Sequence, residues 1–538
     1  MMKSRWAAVV VFLLNLSVVA CGGTSGASAT PVTYVLTVNS TTPASGVAIA
    51  VSPADSGGAA SGSTSFTRTY SAGTVVTLTA PATSGNNTFS AWSGCASAST
   101  VTCSVTMNAN TSVTASFAAP AKTYYVSGTG SDSADGLTPA TAFLTLQHAA
   151  DLTAPGDTVY AMNGTYTNAT AGGNVLTLNT PGTASRWITF TAYPGQKPVI
   201  SFNGWEGIFF SPTAAYIEVS GFTVLGDAYS LTLAGAQAQS YTTPDPAYNG
   251  NCIATDGRSG TATVKPHHLR ILNNTIGACP GSGVGTAQSD YVTISGNTIY
   301  DSAWYSFYDT SAISTWENWN SDSSTAYKMI VTGNRIYGSK NLIPSVVGQA
   351  VTDGEGIIVD TCRNDYAGST LAAYTGRTLI ANNVIFGNGS SAIEVFDSDH
   401  VDVVNNSTYG NVLVSGVSGR GEVNLNKVSD VNVLNNIFYS TAGQNPATVF
   451  EPCTACVFNY NLYFNGTNSP STIHGANDLT ADPLYVNPSA AAPSAVDLHV
   501  SAASPAVNSG SSNLAPATDF SGTTRPQGGG YDRGAYEQ

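Results

Sequence analysis

From about residue 120 the chain repeats a short phrase. Apolar residues fall at alternate positions, an asparagine closes the run, and an apolar pair follows. The copies are Leu269–Ile276, Val292–Tyr300, Met329–Tyr337, Thr378–Ile385, Val401–Asn406 and Val431–Phe438, with a looser Tyr460-Asn461-Leu462-Tyr463. Their aligned asparagines, Asn274, Asn297, Asn334, Asn383, Asn406, Asn436 and Asn461, stand 23, 37, 49, 23, 30 and 25 residues apart. Alternation over a few residues marks a strand. A strand phrase recurring every 23–30 residues marks a solenoid, in which each coil buries its apolar edge against the next. The pattern predicts an all-β chain with a right-handed parallel β-helix over 119–480, its rungs stacked at about 4.8 Å. The asparagines sit at the turns, where their amides can stack and satisfy backbone groups.

A second strand can be aligned between these turns: Ala312–Glu317, Gly356–Thr361, Ala392–Asp397 and Glu422–Lys427. Alternation turns Ile313, Ile357, Val359, Ile393, Val395, Val423 and Leu425 inward. Ser314, Trp316, Ile358, Asp360, Glu394, Phe396, Asn424 and Asn426 then face outward. Asp360 and Glu394 become diagonal neighbours on adjacent rungs, with Cβ atoms roughly 7–8 Å apart. The two oversized coils grow by bulging loops outward, and loops on a rigid scaffold tend to carry function. Asp309 aligns with Asp353, and Glu355 stands beside it. The first excess, 301–326, holds Trp304, Tyr305, Phe307, Tyr308, Trp316 and Trp319. Flat rings in a loop suit the apolar faces of sugars, or they build a mini-core beneath the loop.

The preceding segment, 32–118, alternates in short strands (Tyr34–Val38, Val75–Thr79, Val101–Val105, Val113–Phe117) and predicts a small β-sandwich-like or β-repeat module. Ahead of it, Lys3 and Arg5 precede a broken apolar stretch from Trp6 to Ala20, too short to span a bilayer. Residues 1–20 therefore read as an export signal. Cys21 follows Val18-Val19-Ala20, and residues 21–31 make a flexible tether. Removing Cys21 leaves seven cysteines. Cys95 and Cys103 flank a hairpin and are expected to bond. Cys252 and Cys279 are 27 apart, near one coil length. Cys453 and Cys456 are close in sequence, and Cys362 is left over. None has the spacing of a zinc site.

Composition narrows the partners. Charged residues are 9% of the 538, while 42% are hydrophobic, with 26 Tyr and 18 Phe. Disorder does not fit so much apolar area, and no run is long enough for a polytopic membrane protein. The formal charge of −14 argues against nucleic acid as a partner. It also means that a polyanionic substrate needs a bridging cation or a local basic patch.

Three stretches resemble known families. Phe89-Ser90-Ala91-Trp92-Ser93-Gly94-Cys95, followed by Cys103-Ser104-Val105-Thr106-Met107, resembles a repeat of secreted bacterial proteins, an accessory module. Trp92 is there a core residue or a sugar platform. Tyr124–Asp132, Asp135-Gly136, Phe143–Leu152 and Pro155–Tyr160 resemble the first coil of β-helical polysaccharide lyases of the pectate lyase and chondroitinase B types, with a capping helix near 145–153. The tail Ala481–Val486, Asp497–His499, Ser504–Gly510 and Gly534–Glu537 resembles the choice-of-anchor tail of such proteins and reads as a closing cap over 481–538, with Asp519, Arg525 and Glu537 structural. Val18–Cys21 resembles a lipobox. It implies lipidation at Cys21, membrane contact through that lipid alone, and an outer-membrane, cell-surface or extracellular address.

The resemblance implies an enzyme acting on polysaccharide, first a lyase that cleaves a uronic-acid-containing glycan by β-elimination and second a glycosidase, and a monomer is expected. In a lyase, Asp309, Asp353, Glu355 and Asp397 would hold Ca²⁺, and Lys340, Arg363 or Lys427 would take the proton that starts β-elimination. In a glycosidase, Asp360 and Glu394 would be acid and base. Trp304, Tyr305, Trp316, Trp319 and Phe396 would stack on sugars. A third reading is a glycan-binding β-helix without catalysis. The chain departs from the lyases: it has no adjacent Asp-Asp followed by Gly and Asp, and no clear Lys…Arg pair. His400, after Asp397-Ser398-Asp399, is a general base or a turn residue, and His148 packs.

Overall fold

The computed structural model describes residues 31–417, 419–451, 453–466 and 474–538. The signal, Cys21 and nearly all of the tether lie outside the described residues. The chain divides after Pro120 into two units.

The first unit has two five-stranded sheets. They enclose Leu36, Val38, Ile49, Val76, Leu78, Val105, Val113 and Phe117. The Cys95–Cys103 disulfide forms. Trp92 packs against this core beside Phe89, and its indole N–H donates to Val101 O at 2.9 Å. It is half-buried against the core.

The second unit is a parallel β-helix. Three long sheets run its length among the described residues, two of eleven strands and one of nine. The first runs from Thr123–Val126 to Val457–Asn459, the second from Thr165–Thr167 to Leu479–Thr480, and the third from Leu176–Leu178 to Asn445–Val449. Each strand pairs in parallel with its counterpart one coil on. One column of apolar side chains, Ile253, Val284, Ile313, Ile357, Ile393 and Val423, fills the interior of the third sheet. The helix Leu146–Leu152 turns Leu146, Ala149 and Ala150 onto the first coil, with Thr145 as its N-cap. His148 packs on Phe143. The Cys252–Cys279 and Cys453–Cys456 bonds form, and Cys362 is a buried free thiol.

The asparagines build a continuous ladder. Both the main-chain N–H and the Nδ2 of Asn274 donate to Asn297 Oδ1, at 2.9 and 3.1 Å. Asn297 does the same to Asn334, Asn334 to Asn383, Asn383 to Asn406, Asn406 to Asn436, and Asn436 to Asn461. Asn461 N–H ends the series on Asp478 Oδ1 at 2.7 Å. The residue before each ladder asparagine is left-handed, with φ of 55° at Asn273, 69° at Gly296, 64° at Gly333, 55° at Asn382 and 54° at Asn405. Gly and Asn are the residues that tolerate that conformation. The Gly-Asn and Asn-Asn pairs of the sequence are thus one turn residue followed by one ladder residue.

The tail differs from the expected closing cap. Residues 481–538 form a strap along the flank of the solenoid. Tyr485, Val496, Leu498 and Ala535 cover Val384, Phe386, Ile437 and Leu462 on the outer face of the second sheet. Arg335 donates to the carbonyls of Pro493 and Val496, Asn435 to that of Ser511, and Arg533 to that of Asn461. The reason is the sequence of the second sheet itself: its outer face is apolar over these coils and needs a cover. Arg525, Glu537 and Asp519 bond one another inside the strap.

Asn383, like Asn334, Asn406 and Asn436, has ladder partners on both sides and full burial. Asn383→Ala should cost about 2–4 kcal/mol, since it orphans buried donors on Asn334 and removes several bonds at once. The check is the denaturation midpoint of the variant against the parent, with Asn163→Ala, away from the ladder, as control.

Candidate active site

The candidate site lies on the outer face of the third sheet, on the outward residues of strands Ile313–Trp316, Ile357–Asp360, Ile393–Phe396 and Gly421–Asn426. The loops that enter these strands (301–312, 338–356, 410–417 and 419–420) stand at one edge of it, and the loops that leave them (317–326 and 361–376) at the other.

The acids meet on this face. Asp360 pairs with Trp316 on one side and Phe396 on the other, all three on the same face. Ile358 pairs with Glu394, which places Asp360 and Glu394 on the expected diagonal. Asp360 is half-buried and accepts a bond from Thr361 Oγ1 at 2.5 Å. Burial between two aromatic rungs, with Asp309, Glu355 and Asp397 adding repulsion, pushes its carboxyl up to about 7. Glu394 is buried. Burial first, then Glu355, holds its carboxyl well above the usual range, against the pull of Arg420.

Arg420 organises the pair. Its Nη1 donates to Glu355 Oε1 at 2.6 Å, to Ser390 Oγ at 3.3 Å, and to Glu394 Oε2. Glu355 also accepts from Ser311 Oγ at 2.5 Å and Ser390 Oγ at 2.6 Å. Three donors converge on Glu355: Arg420, Ser311 and Ser390. Beside them, the Thr352 hydroxyl lies 2.6 Å from Asp353 and 3.0 Å from Asp309, and Ser345 donates to Asp309 at 2.7 Å. Burial, then Glu355 and Asp309, holds Asp353 well above the usual carboxylate range. Gly354, with φ 96°, lets this segment close on its own loop: a Cβ there would lie 2.4 Å from Asn341 N.

The four residues expected to hold calcium do not form one ligand set. Glu355 is engaged by Arg420, Ser311 and Ser390. Asp397 belongs to a separate basic corner, where Lys427 Nζ lies 2.8 Å from Asp397 and 3.2 Å from Asp365. Only Asp309 and Asp353 stay together. Among the described residues, no group of three or more His, Cys, Asp or Glu is placed to hold a metal ion.

Of the three expected bases, Arg363 is tied to Asp399 at 2.8 Å and Lys427 to Asp397. The side chain of Lys340 has no ion pair or hydrogen bond among the described residues, and its Cα would lie 3.0 Å from a Cβ at Gly354. His400 bonds Asp430 at 2.7 Å on the first sheet, away from the site.

The aromatics divide. Trp316 and Phe396 flank Asp360 on the outer face, and Arg258 lies over the Trp316 ring at 5.7 Å. Trp304 and Tyr305 do not face the site as sugar platforms. They pack with Phe307, Ala278 and Ile343 in a mini-core beneath the loop, and Trp304 Nε1 donates to Gly338 O. Hydrophobic burial of a long loop's own rings outweighs their exposure. Trp319 packs beside His267 at the next corner. Arg420, absent from the sequence-based set, precedes its strand in a short Gly-flanked loop and reaches back 65 residues to Glu355. Its one sequence signal is being a lone cation in the loop opening the rung after Glu394.

A family model described as a Pel9A-like, right handed beta helix region matches residues 124–279. One described as a divergent InlB B-repeat domain matches residues 47–121. With the strand order above, the first match defines the second unit as a right-handed parallel β-helix. It ends before the acid cluster begins. No curated protein matches. Solved structures similar to this chain include the pectate lyase Pel9A, at 16% identity over 78% of this chain and 96% of that one, with a TM-score of 0.44. A rhamnogalacturonan lyase is 14% identical over 68% and 91%, with a TM-score of 0.37. XylC with xylose is 14% identical over 77% and 98%, with a TM-score of 0.37.

Asp360 has a stability signature. Its folded carboxyl binds a proton more tightly than an unfolded one, so its protonated form favours folding at low pH. That contribution is lost as pH rises from about 4 to about 7, at a cost of the order of 2–4 kcal/mol. Asp360→Asn should therefore melt higher than the parent at pH 8 and equally at pH 4, measured by thermal denaturation across that range.

Proposed function

We propose that the β-helix is a carbohydrate-active enzyme that hydrolyses glycosidic bonds, with Glu394 as general acid and Asp360 as the base that activates water. The observation that supports it is the pair itself: two carboxyls on one diagonal, in environments that separate their roles. Glu394 is buried and proton-bearing beside Glu355. Asp360 titrates near 7 within reach of solvent. Their Cβ separation of roughly 7–8 Å suits acid and base on either side of a sugar ring. Trp316 and Phe396, bracketing Asp360, offer stacking surfaces for rings bound there.

The charge inventory favours a neutral glycan. Arg420 is engaged by two glutamates, Arg363 by Asp399, Lys427 by Asp397 and Asp365, and Arg258 by Asp256. A uronate chain would meet mostly carboxylates. One observation favours elimination as the second reading: Lys340 is the free cation beside the acids, and would be the base of a lyase acting on a uronic glycan. Calcium would belong to that reading only, with Asp309 and Asp353 the two candidate ligands that stay together. We read the chain as exported, in keeping with its disulfides, anchored by lipid at Cys21 to the outer membrane or cell surface, and monomeric, with a polysaccharide and no nucleic acid as partner. No helix among the described residues is long and apolar enough to cross a membrane.

The test is incubation with neutral and uronic glycans, with and without EDTA. New reducing ends without the ultraviolet absorbance of an unsaturated uronide are expected, unaffected by EDTA. The absorbance, and its loss in Lys340→Ala, would replace hydrolysis by elimination. Binding without either product would overturn both. Activity should rise with pH through about 7, as Asp360 ionises into its basic form, and fall again where Glu394 loses its proton. Asp360→Asn and Glu394→Gln should each lose at least about a hundredfold in kcat.

A further inference from the structure

We propose that Asn424 is a positioning residue for Glu394, keeping an amide N–H ready for the carboxylate that remains once Glu394 has given up its proton. The inference rests on Glu394 being the proton donor.

The two residues are paired across adjacent parallel strands and face the same side of the sheet, so their Cβ atoms are roughly 5 Å apart. Asn424 is fully buried. Its Oδ1 accepts from the Thr448 hydroxyl at 2.6 Å. That hydroxyl in turn accepts the Gly421 N–H at 3.1 Å. An N–H can only donate, so the proton of Thr448 is directed at the Asn424 oxygen. The amide is thereby oriented, with its nitrogen turned away from Thr448. Among the described residues, Asn424 Nδ2 has no hydrogen-bond partner. A buried amide donor normally finds an acceptor, because leaving it unpaired destabilises the fold. Here the acceptor one rung away is a carboxyl whose Oε2 is taken by Arg420 and whose proton affinity is raised by burial and by Glu355.

Proton donation changes that balance. The proton of Glu394 passes to the glycosidic oxygen as the C–O bond breaks. The electron pair of that bond stays on the oxygen, and the leaving sugar departs as a neutral alcohol. Water, losing its proton to Asp360, adds to the anomeric carbon. Glu394 is left as an anion in a buried site, beside Glu355. A preoriented N–H one rung away stabilises that anion and not the acid form, which is the requirement for an interaction that accelerates the step.

The experiment compares Asn424→Leu, Thr448→Val and Thr448→Ser with the parent, on the glycan the parent hydrolyses. Asn424→Leu should lower kcat about tenfold, the effect of one charge-assisted hydrogen bond. KM should stay unchanged, and the alkaline limb of the pH profile should move up by about one pH unit, because the anion has lost its donor. Thr448→Val, which frees the amide to flip, should move the limb the same way, and Thr448→Ser should restore the parent profile. The shift can also be read without substrate, as the pH at which the parent's loss of stability relative to Glu394→Gln levels off, compared with and without Asn424→Leu. If Asn424→Leu does not fold, the Thr448 pair decides. An alkaline limb and a levelling-off pH that stay in place would overturn the role of Asn424. A raised KM with an unmoved limb would make Asn424 a substrate contact instead. Full activity in Glu394→Gln would overturn the assignment of the acid itself, a separate outcome.

Discussion

Everything in the second unit depends on one constraint: each coil must present to the next the same groups at the same places. A parallel β-helix repeats its backbone at a fixed spacing of about 4.8 Å, so any side chain at an aligned position meets a copy of its own position. Asparagine solves this at the turn, because its amide carries both a donor and an acceptor and can bond to another asparagine indefinitely. A charged group cannot, since like charges stacked at that distance repel. The low charge content of the chain follows from this rule. So does the way the main ladder ends: the last donor, the Asn461 N–H, lacks a further asparagine and finds the carboxylate of Asp478 instead. A second ladder, Asn388 to Asn411, ends on Glu422 in the same manner.

The same rule explains why the acids collect where they do. A carboxylate can enter a stacked sheet only where the neighbouring rungs offer something other than a carboxylate. Asp360 lies between Trp316 and Phe396, and Glu394 between Ile358 and Asn424. Their mutual approach is diagonal, never direct. The price of bringing them together falls on the protonation state. Burial and mutual repulsion hold the carboxyls of Glu394 and Asp353 well above the usual range and push that of Asp360 up to about 7. A scaffold selected against stacked charge thus produces, wherever acids are admitted, carboxyls with raised proton affinity. General acid catalysis near neutral pH needs that property.

The periodic part of the structure was legible in the sequence, and its exceptions were not. The alternation located the inward column and the outward Asp360 and Glu394 because strand side chains have a period of two and the coil repeat sets the alignment. The cysteine pairing across one coil was readable for the same reason. Trp304 and Tyr305 were misread because they sit in a loop outside the repeat, where nothing in the spacing separates a buried ring from a presented one. The tail was read as a cap because its own pattern carries no register with the solenoid. The signal lay in the second sheet, whose outer face at Val384, Phe386, Ile437 and Leu462 is apolar and had to be covered. Arg420 escaped because its partner lies 65 residues away, in a different coil. Only the stacking of coils brings the two together.

That distance has a chemical meaning. Glu355 enters from the loop of the longest coil, Glu394 from the strand of the next, and Arg420 from the loop of the one after. One guanidinium nitrogen therefore ties three successive coils at the point where the site is most acidic. A half-buried cation between two buried carboxyls is weak evidence for stability, because desolvation offsets most of the attraction. Its effect is better sought in the asymmetry it creates. Two serines and the arginine converge on Glu355, while the hydrogen bonds of Glu394 run to the arginine and to Glu355 itself. Two glutamates of equal intrinsic acidity thereby stand in unequal surroundings, and burial beside Glu355 raises the proton affinity of Glu394, the one on the outer face of the sheet.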